Sequence, residues 1–340
     1  MPQPSPSPKR RGRLVRFGAA CVVLSAVAGY AVVQYVSGGT GDPGCRVVSG
    51  GADGAAYEFT PEQAVNAATI AAVGTDRAMP ERAVAIALAT AIQESGLRNL
   101  AHGDRDSLGL FQQRPSQGWG TARQVRDPAY AADIFYEHLA KVDDYTELPL
   151  TVAAQRVQRS GYPEAYAKHE RDAVLLAAAL TGTSAATLTC DGRSRATAST
   201  GPAAVRAALT RDFGRGGARE GAGTGSKTGS KTSVGGAGKA SQAAAGPPVA
   251  RSSGRTLTLP VSGDAAAGGR GAAERGWQLA HWAVANASAL RIERVVYAGR
   301  EWVSGHSDSR WRSTGSTSAE AAGGAAAGGA ADGVRIVTEQ

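Results

Sequence analysis

Glu94 and Ser95 close an Ala-rich apolar run, and Ser107-Leu108-Gly109-Leu110-Phe111-Gln112-Gln113 follows a short loop later. A carboxyl group at the end of a buried helix, facing a glycine-containing turn with a side-chain amide, is the smallest set of groups that can cleave a glycosidic bond. The carboxyl must hand a proton to the leaving sugar oxygen, so it has to hold that proton near neutrality. Partial desolvation and the negative C-terminal end of a helix dipole both disfavour the charged form and raise the pKa.

The element that must position Glu94 is a helix running from Met79-Pro80-Glu81 to Gly96. Pro80 suits the first helical position, and Glu81 meets the positive end of the dipole. Val84, Leu88, Ala91 and Ile92 repeat at helical spacing, and Ala83, Ala87 and Thr90 form a second stripe of small residues. Little of such a helix faces water, so Glu94 is expected where core meets cleft.

These residues resemble the lysozyme-like superfamily, and in particular soluble lytic transglycosylases. The signature there is Glu-Ser at a helix end, then Ser-x-Gly-Leu-x-Gln. Here it reads Glu94-Ser95, then Ser107-Leu108-Gly109-Leu110-Phe111-Gln112, and Asp127-Pro128-Ala129-Tyr130 leads into an amphipathic segment, as in that family. The resemblance covers roughly residues 55 to 182.

The resemblance implies peptidoglycan glycan strands as substrate and Glu94 as the single acid/base. Glu94 would protonate the bond between N-acetylmuramic acid and N-acetylglucosamine, then accept a proton as the muramic 6-hydroxyl closes a 1,6-anhydro ring. Ser107 and Gln112 would orient Glu94 and hydrogen-bond an N-acetyl sugar, and Gly109 would let backbone approach the ligand. Trp119 reads equally as a sugar platform and as a buried aromatic. A two-carboxylate hydrolase would need a second acid. Asp104 and Asp106 are the local candidates, and they read as solvated loop acids flanking Arg105. Should either face Glu94 across a cleft, hydrolysis becomes the better description.

One motif departs from the family, whose later helix carries an Ala-Tyr-Asn-like sequence supporting the catalytic acid. This chain has Ala153-Ala154-Gln155-Arg156-Val157-Gln158-Arg159-Ser160. Gln155 or Gln158 would supply the amide, and Tyr162 or Tyr166 the aromatic. The altered motif leaves open a catalytically silent glycan-binding or scaffolding protein.

Lys9, Arg10, Arg11, Arg13 and Arg16 precede Phe17 to Val36, an apolar run of bilayer-crossing length. The basic flank is expected to stay cytoplasmic and the rest to lie outside. Ala26-Val27-Ala28 offers a signal-cleavage alternative, and both readings export the chain. Cys45 and Cys190 bracket the enzyme-like segment, so a disulfide between them is expected in an oxidising compartment.

The chain has 340 residues and a net charge of +8. The first 16 residues hold five basic groups and no acid, residues 17–190 hold 13 basic and 18 acidic groups, and residues 191–275 hold 13 and 5. The excess therefore lies outside the enzyme-like segment, and nucleic-acid binding has little support. The five histidines match no metal-ligand spacing, so neither metal nor cofactor is expected.

The expected architecture is a cytoplasmic flank (1–16), a transmembrane helix (17–36), a linker (37–51) and a mainly α lysozyme-like domain (52–190). A disordered basic linker rich in Gly, Ala, Ser and Lys (191–254) and a small α+β domain with an Ala/Gly-rich insertion (255–340) complete it. In that last domain Trp277, Ala280, His281, Val284 and Ser288 follow helical spacing. Arg291–Tyr297 and Glu301–Val303 flank Ala298-Gly299 as a hairpin, and Val334–Val337 reads as a final strand. This part resembles a small α+β module at the C-terminus of secreted cell-wall proteins, through Trp282-Ala283-Val284-Ala285-Asn286, Tyr297-Ala298-Gly299-Arg300 with Trp302, and Trp311. It is expected to engage cell-wall or secretion proteins.

Overall fold

The computed structural model describes residues 44–160, 164–192, 200–214, 248–262, 270–305, 310–314 and 333–339. All of them belong to one unit, Pro43–Gln340. The expected transmembrane segment Phe17–Val36 lies outside the described residues, among which no helix is long and apolar enough to cross a membrane. The fold is mixed α+β, with a helical part followed by a C-terminal sheet.

In the helical part, α1 (Pro61–Asp76) starts on a capping box, in which Thr60 accepts from the Gln63 amide and the Gln63 side chain accepts from the Thr60 amide. Helix α2 (Glu81–Ser95) starts one residue later than expected, because Pro80 is extended and serves as the cap. Ala83 through Ile92 are all buried, which makes α2 the central helix. The short α3 (Ala122–Val125) packs on α4 (Pro128–Leu139), and α4, α5 (Leu150–Gln158) and α6 (Glu170–Thr181) lie around the central helix. Asp127 caps α4 by accepting from the amides of Ala129 and Tyr130. The alanine stripes of α2 let these neighbours approach closely, and the bulk needed to fill the space comes from Phe111, Phe135, Tyr136 and Tyr166.

Three short strands, β1 (Cys45–Val48), β2 (Ala56–Phe59) and β3 (Leu188–Cys190), form an antiparallel sheet in the order β2-β1-β3. Cys45 and Cys190 sit directly opposite each other and are joined by the expected disulfide. It closes a sequence separation of 145 residues. In the chain-entropy view, closing so long a loop stabilises the fold by up to about 5 kcal/mol. The amide of Asp191 donates to Gly44 O and that of Val48 to Thr187 O, so the carbonyls of Leu188 and Cys190 point away from β1 toward the open edge of the sheet.

The segment expected to be a disordered linker from 191 to 254 contains a helix, α7 (Gly201–Phe213), longer than the marginal helix that Ala203–Leu209 suggests. Val205, Ala208, Leu209 and Phe213 are buried, at a spacing that faces one side of a helix toward the core. Asp212 is fully buried beside them. It accepts from Trp282 Nε1 at 2.9 Å, from Arg211 Nε at 2.7 Å and from Thr69 Oγ1 at 3.4 Å. Apolar burial and a satisfied buried carboxylate together offset the ordering entropy that composition alone suggested would win. Residues 215–247 of that segment lie outside the described residues.

The C-terminal part begins earlier than expected, at β4 (Arg251–Ser253), followed by β5 (Thr256–Pro260) and α8 (Ala272–Ala285). Asn286 ends α8, so Ser288 falls in a separate short helix, α9 (Ala287–Leu290). The hairpin forms as read: β6 (Ile292–Tyr297) and β7 (Arg300–Val303) join through Ala298 and Gly299, both at positive φ. With β8 (Arg312–Ser313) and β9 (Gly333–Thr338) they complete a six-stranded sheet ordered β4-β5-β9-β6-β7-β8.

Rather than moving freely on a tether, this part packs onto the helical part. Helix α8 lies between its own sheet and helices α1 and α6. Gln278 Nε2 donates to Thr75 Oγ1, and His281 Nδ1 bonds Ala179 O at 2.7 Å. Trp302 Nε1 donates to Cys190 O at 3.1 Å and Trp311 Nε1 to Leu188 O at 2.9 Å. The two indoles thus occupy the outward carbonyls of β3.

Candidate active site

Glu94 is the penultimate residue of α2 and is only partly exposed. The helix ends because Gly96 adopts the left-handed conformation (φ 61°), which lets Leu97 N donate to Ala91 O and Gly96 N to Ile92 O. Helix α1 clamps this end: Gln63 Nε2 donates to Gly96 O and Asn66 Nδ2 to Leu97 O, each at 2.8 Å. Ser95 is buried, and its hydroxyl donates to Leu110 O at 2.7 Å. That bond fastens the helix end to the 107–113 turn.

The turn is closed by reciprocal bonds between the backbones of Leu108 and Gln113. Phe111 anchors it in the core by stacking on Phe135 at 4.7 Å, and Gln113 Nε2 donates to Ala131 O at 3.0 Å. From the other side, Gln158 on α5 donates to Phe111 O at 2.8 Å.

The partners of the Glu94 carboxylate are Tyr166 and Gln158. The Tyr166 hydroxyl donates to Glu94 Oε1 at 2.7 Å, and the Gln158 amide is a second donor to the carboxylate. Burial raises the Glu94 pKa above its ordinary value, and these two donors act against that rise without reversing it. Tyr166 is fully buried, and burial followed by the charge of Glu94 keeps its phenol protonated, so it is a fixed donor. Burial thus favours the protonated form of this carboxyl more than water does, and the two donors stabilise the anion left when the proton is given up.

The sequence-predicted residues fall in different places. Ser107 is buried in the turn, its amide donating to Asp104 O. Gln112 folds back so that Nε2 donates to Gly109 O at 3.2 Å. Gly109 was expected to admit ligand to the backbone. It has a φ of 76° and approaches Val125 closely, whose carbonyl would lie 2.3 Å from an added Cβ. Trp119 is half-buried and stacks on His138 at 4.3 Å.

On α5, Gln155 donates to Ser160 O at 2.7 Å and braces the chain beyond the helix, and it is Gln158, one turn on, that reaches Glu94. Tyr162 lies outside the described residues, and the aromatic at Glu94 is Tyr166. The spacing Gln155-Gln158 and Tyr162-Tyr166 contained both answers, and only the crossing of α5 over the end of α2 selects between them.

Neither loop acid pairs with Glu94. Asp106 accepts from Arg114 Nε at 2.9 Å and from Ser116 N at 2.8 Å, which holds its pKa far below the ordinary range. Asp104 is exposed beside Arg105. A cleft of about 540 Å³ lies between the β1–β2 turn and α6, lined by Val48, Ser49, Val174, Leu175, Ala178 and Thr183 among others, and it is separate from Glu94.

Residues 228–323 match the family model described as VldE, C-terminal domain. The match falls on the C-terminal part and includes none of the Glu94 site. No curated protein matches the chain.

Proposed function

We propose that this chain is an extracytoplasmic peptidoglycan lytic transglycosylase with a lysozyme-like helical part. The observation that carries the reading is the half-buried Glu94 carboxyl, with its raised pKa, held at 2.7 Å by the Tyr166 phenol. The resemblance of Glu94-Ser95 and Ser107–Gln112 to the family signature supports it, as does the commitment of Asp106 elsewhere, which leaves Glu94 to act alone.

Glu94 protonates the oxygen joining N-acetylmuramic acid to N-acetylglucosamine, and the bond to the muramic anomeric carbon breaks. The carboxylate so formed is held by Tyr166 and Gln158. It then accepts the proton of the muramic 6-hydroxyl as that oxygen bonds to the anomeric carbon, which closes the 1,6-anhydro ring and restores the acid. No second carboxylate is required. The Cys45–Cys190 disulfide favours an oxidising compartment, and the basic flank and apolar run at the N-terminus favour export with a membrane anchor.

The test is digestion of isolated peptidoglycan by purified Pro43–Gln340, with the products read by mass spectrometry. We expect 1,6-anhydro-muropeptides from the wild type and none from Glu94→Gln. Reducing-end products alone would convert the reading to a hydrolase. Binding to wall without turnover in both proteins would convert it to a silent glycan-binding or scaffolding protein.

A further inference from the structure

The six-stranded sheet buries one face against α8. Leu257 and Leu259 of β5, Val295 and Tyr297 of β6, Trp302 of β7 and Val334 and Ile336 of β9 all point inward and are buried. Strand alternation sends the intervening residues to the other face. There the register aligns Arg251, Thr258, Arg335, Val296, Glu301 and Arg312 in one row across all six strands. The next row reads Ser253, Thr256, Val337, Arg294 and Val303. Every one of these side chains is exposed or half-exposed.

This face has a definite chemistry. Its cations are four arginines, Arg251, Arg294, Arg312 and Arg335, without a lysine, set among the hydroxyls of Ser253, Thr256 and Thr258. Among the described residues of these two rows the acid is Glu301, which Arg294 meets at 3.5 Å. The guanidinium fork suits phosphate oxygens, which it can meet two at a time. At about 4.8 Å per strand, Arg251 and Arg335 stand roughly 10 Å apart, and Arg312 continues the row at roughly 14 Å beyond. The sheet turns its aromatics, Tyr297 and Trp302, inward, so it offers no platform on which nucleic-acid bases stack. Its outward apolar residues are three half-exposed valines, too little to enter a bilayer.

We infer that this sheet face is a docking surface for a linear anionic polymer of the cell envelope whose charges are phosphodiesters, laid across the strands along the Arg251–Arg335 row. The attraction is electrostatic and releases counterions, so it is steeply salt-dependent. The surface is separate from the Glu94 chemistry, and of the proposed function it rests only on the extracytoplasmic placement.

Purified Pro43–Gln340 should be titrated against fluorescent poly(glycerol phosphate) over a series of sodium chloride concentrations. The wild type should bind, and the double variant Arg251→Thr/Arg335→Thr should bind on the order of tenfold more weakly at low salt. Its plot of log affinity against log salt should flatten by about 1.4, at roughly 0.7 per lost phosphate contact. Arg46→Thr/Arg171→Ser removes the same charge elsewhere and should bind like the wild type. Unchanged binding by the sheet variant, or an equal loss in the control pair, overturns the inference. So does equal or tighter binding to hyaluronate, to oligo-dT or to phosphatidylglycerol vesicles, which would transfer the face to a carboxylate polymer, a nucleic acid or a membrane. An unchanged unfolding midpoint in the sheet variant shows that the loss is one of contact and not of folding.

Discussion

The hydroxyl of Tyr166 lies 2.7 Å from a carboxylate oxygen of Glu94, across a sequence separation of 72 residues. The bond joins the end of the central helix to the segment that leads into α6, and it stabilises the charged form of an acid whose pKa burial raises. Removing the donor should therefore raise the Glu94 pKa further. In Tyr166→Phe the high-pH limb of activity on peptidoglycan moves to higher pH, because the proton-bearing form persists longer. The rate at its optimum falls roughly tenfold, since the carboxylate intermediate loses a charge-assisted hydrogen bond. A pH-rate profile of the two proteins checks both the direction of the shift and the loss.

Asp212 gives a second expectation, concerning the helix inside the presumed linker. Its buried carboxylate accepts from Trp282, Thr69 and Arg211, so it joins α7, α1 and α8. Asp212→Ala strands the indole N–H of Trp282 and leaves Arg211 without its partner. We expect a loss of about 2–4 kcal/mol in urea unfolding, against a smaller loss for Asp212→Asn, which retains an acceptor.

His281 sets a pH dependence. It is fully buried, its Nδ1 bonds Ala179 O, and its Nε2, beside the rings of Trp277 and Trp311, has no partner among the described residues. Burial lowers its pKa from 6.5 to about 4. Between those values the unfolded chain binds a proton that the folded chain refuses. Stability is therefore complete above about pH 6.5 and is lost as pH falls toward 4, by about 3 kcal/mol over the full window. The urea midpoint should drop between pH 7 and pH 5, and His281→Asn should flatten that part of the curve.

The sequence showed the Glu94 helix because its apolar stripes extend through ten consecutive buried positions, and it showed the disulfide because Cys45 and Cys190 bracket the segment they close. The identity of the Glu94 partners was narrowed and not decided. Gln155 and Gln158 lie one turn apart on the same side of α5, and the geometry that favours Gln158 is set by α5 and the 107–113 turn together. Helix α7 was legible only as a marginal helix over Ala203–Leu209, because composition averaged over a long Gly-rich segment argued for disorder, although Val205, Leu209 and Phe213 already carried the helical spacing. The docking of the C-terminal part had no local signal. It depends on Gly182, whose left-handed turn lets the Glu274 carbonyl come within 1.8 Å of where a Cβ would stand, and on indoles that reach backbone carbonyls far away in sequence.

Trp302 and Trp311 give β3 something beyond cohesion. A strand at a sheet margin presents unsatisfied carbonyls that invite pairing by another molecule's backbone. By seating an indole on each of two such groups, the second half of the protein acts as a guard against self-association of the first. A truncation ending just after Cys190 would strip that cover away, so the shortened chain should tend toward intermolecular strand pairing and clumping. The C-terminal part thereby covers a strand edge that the helical part alone would leave bare.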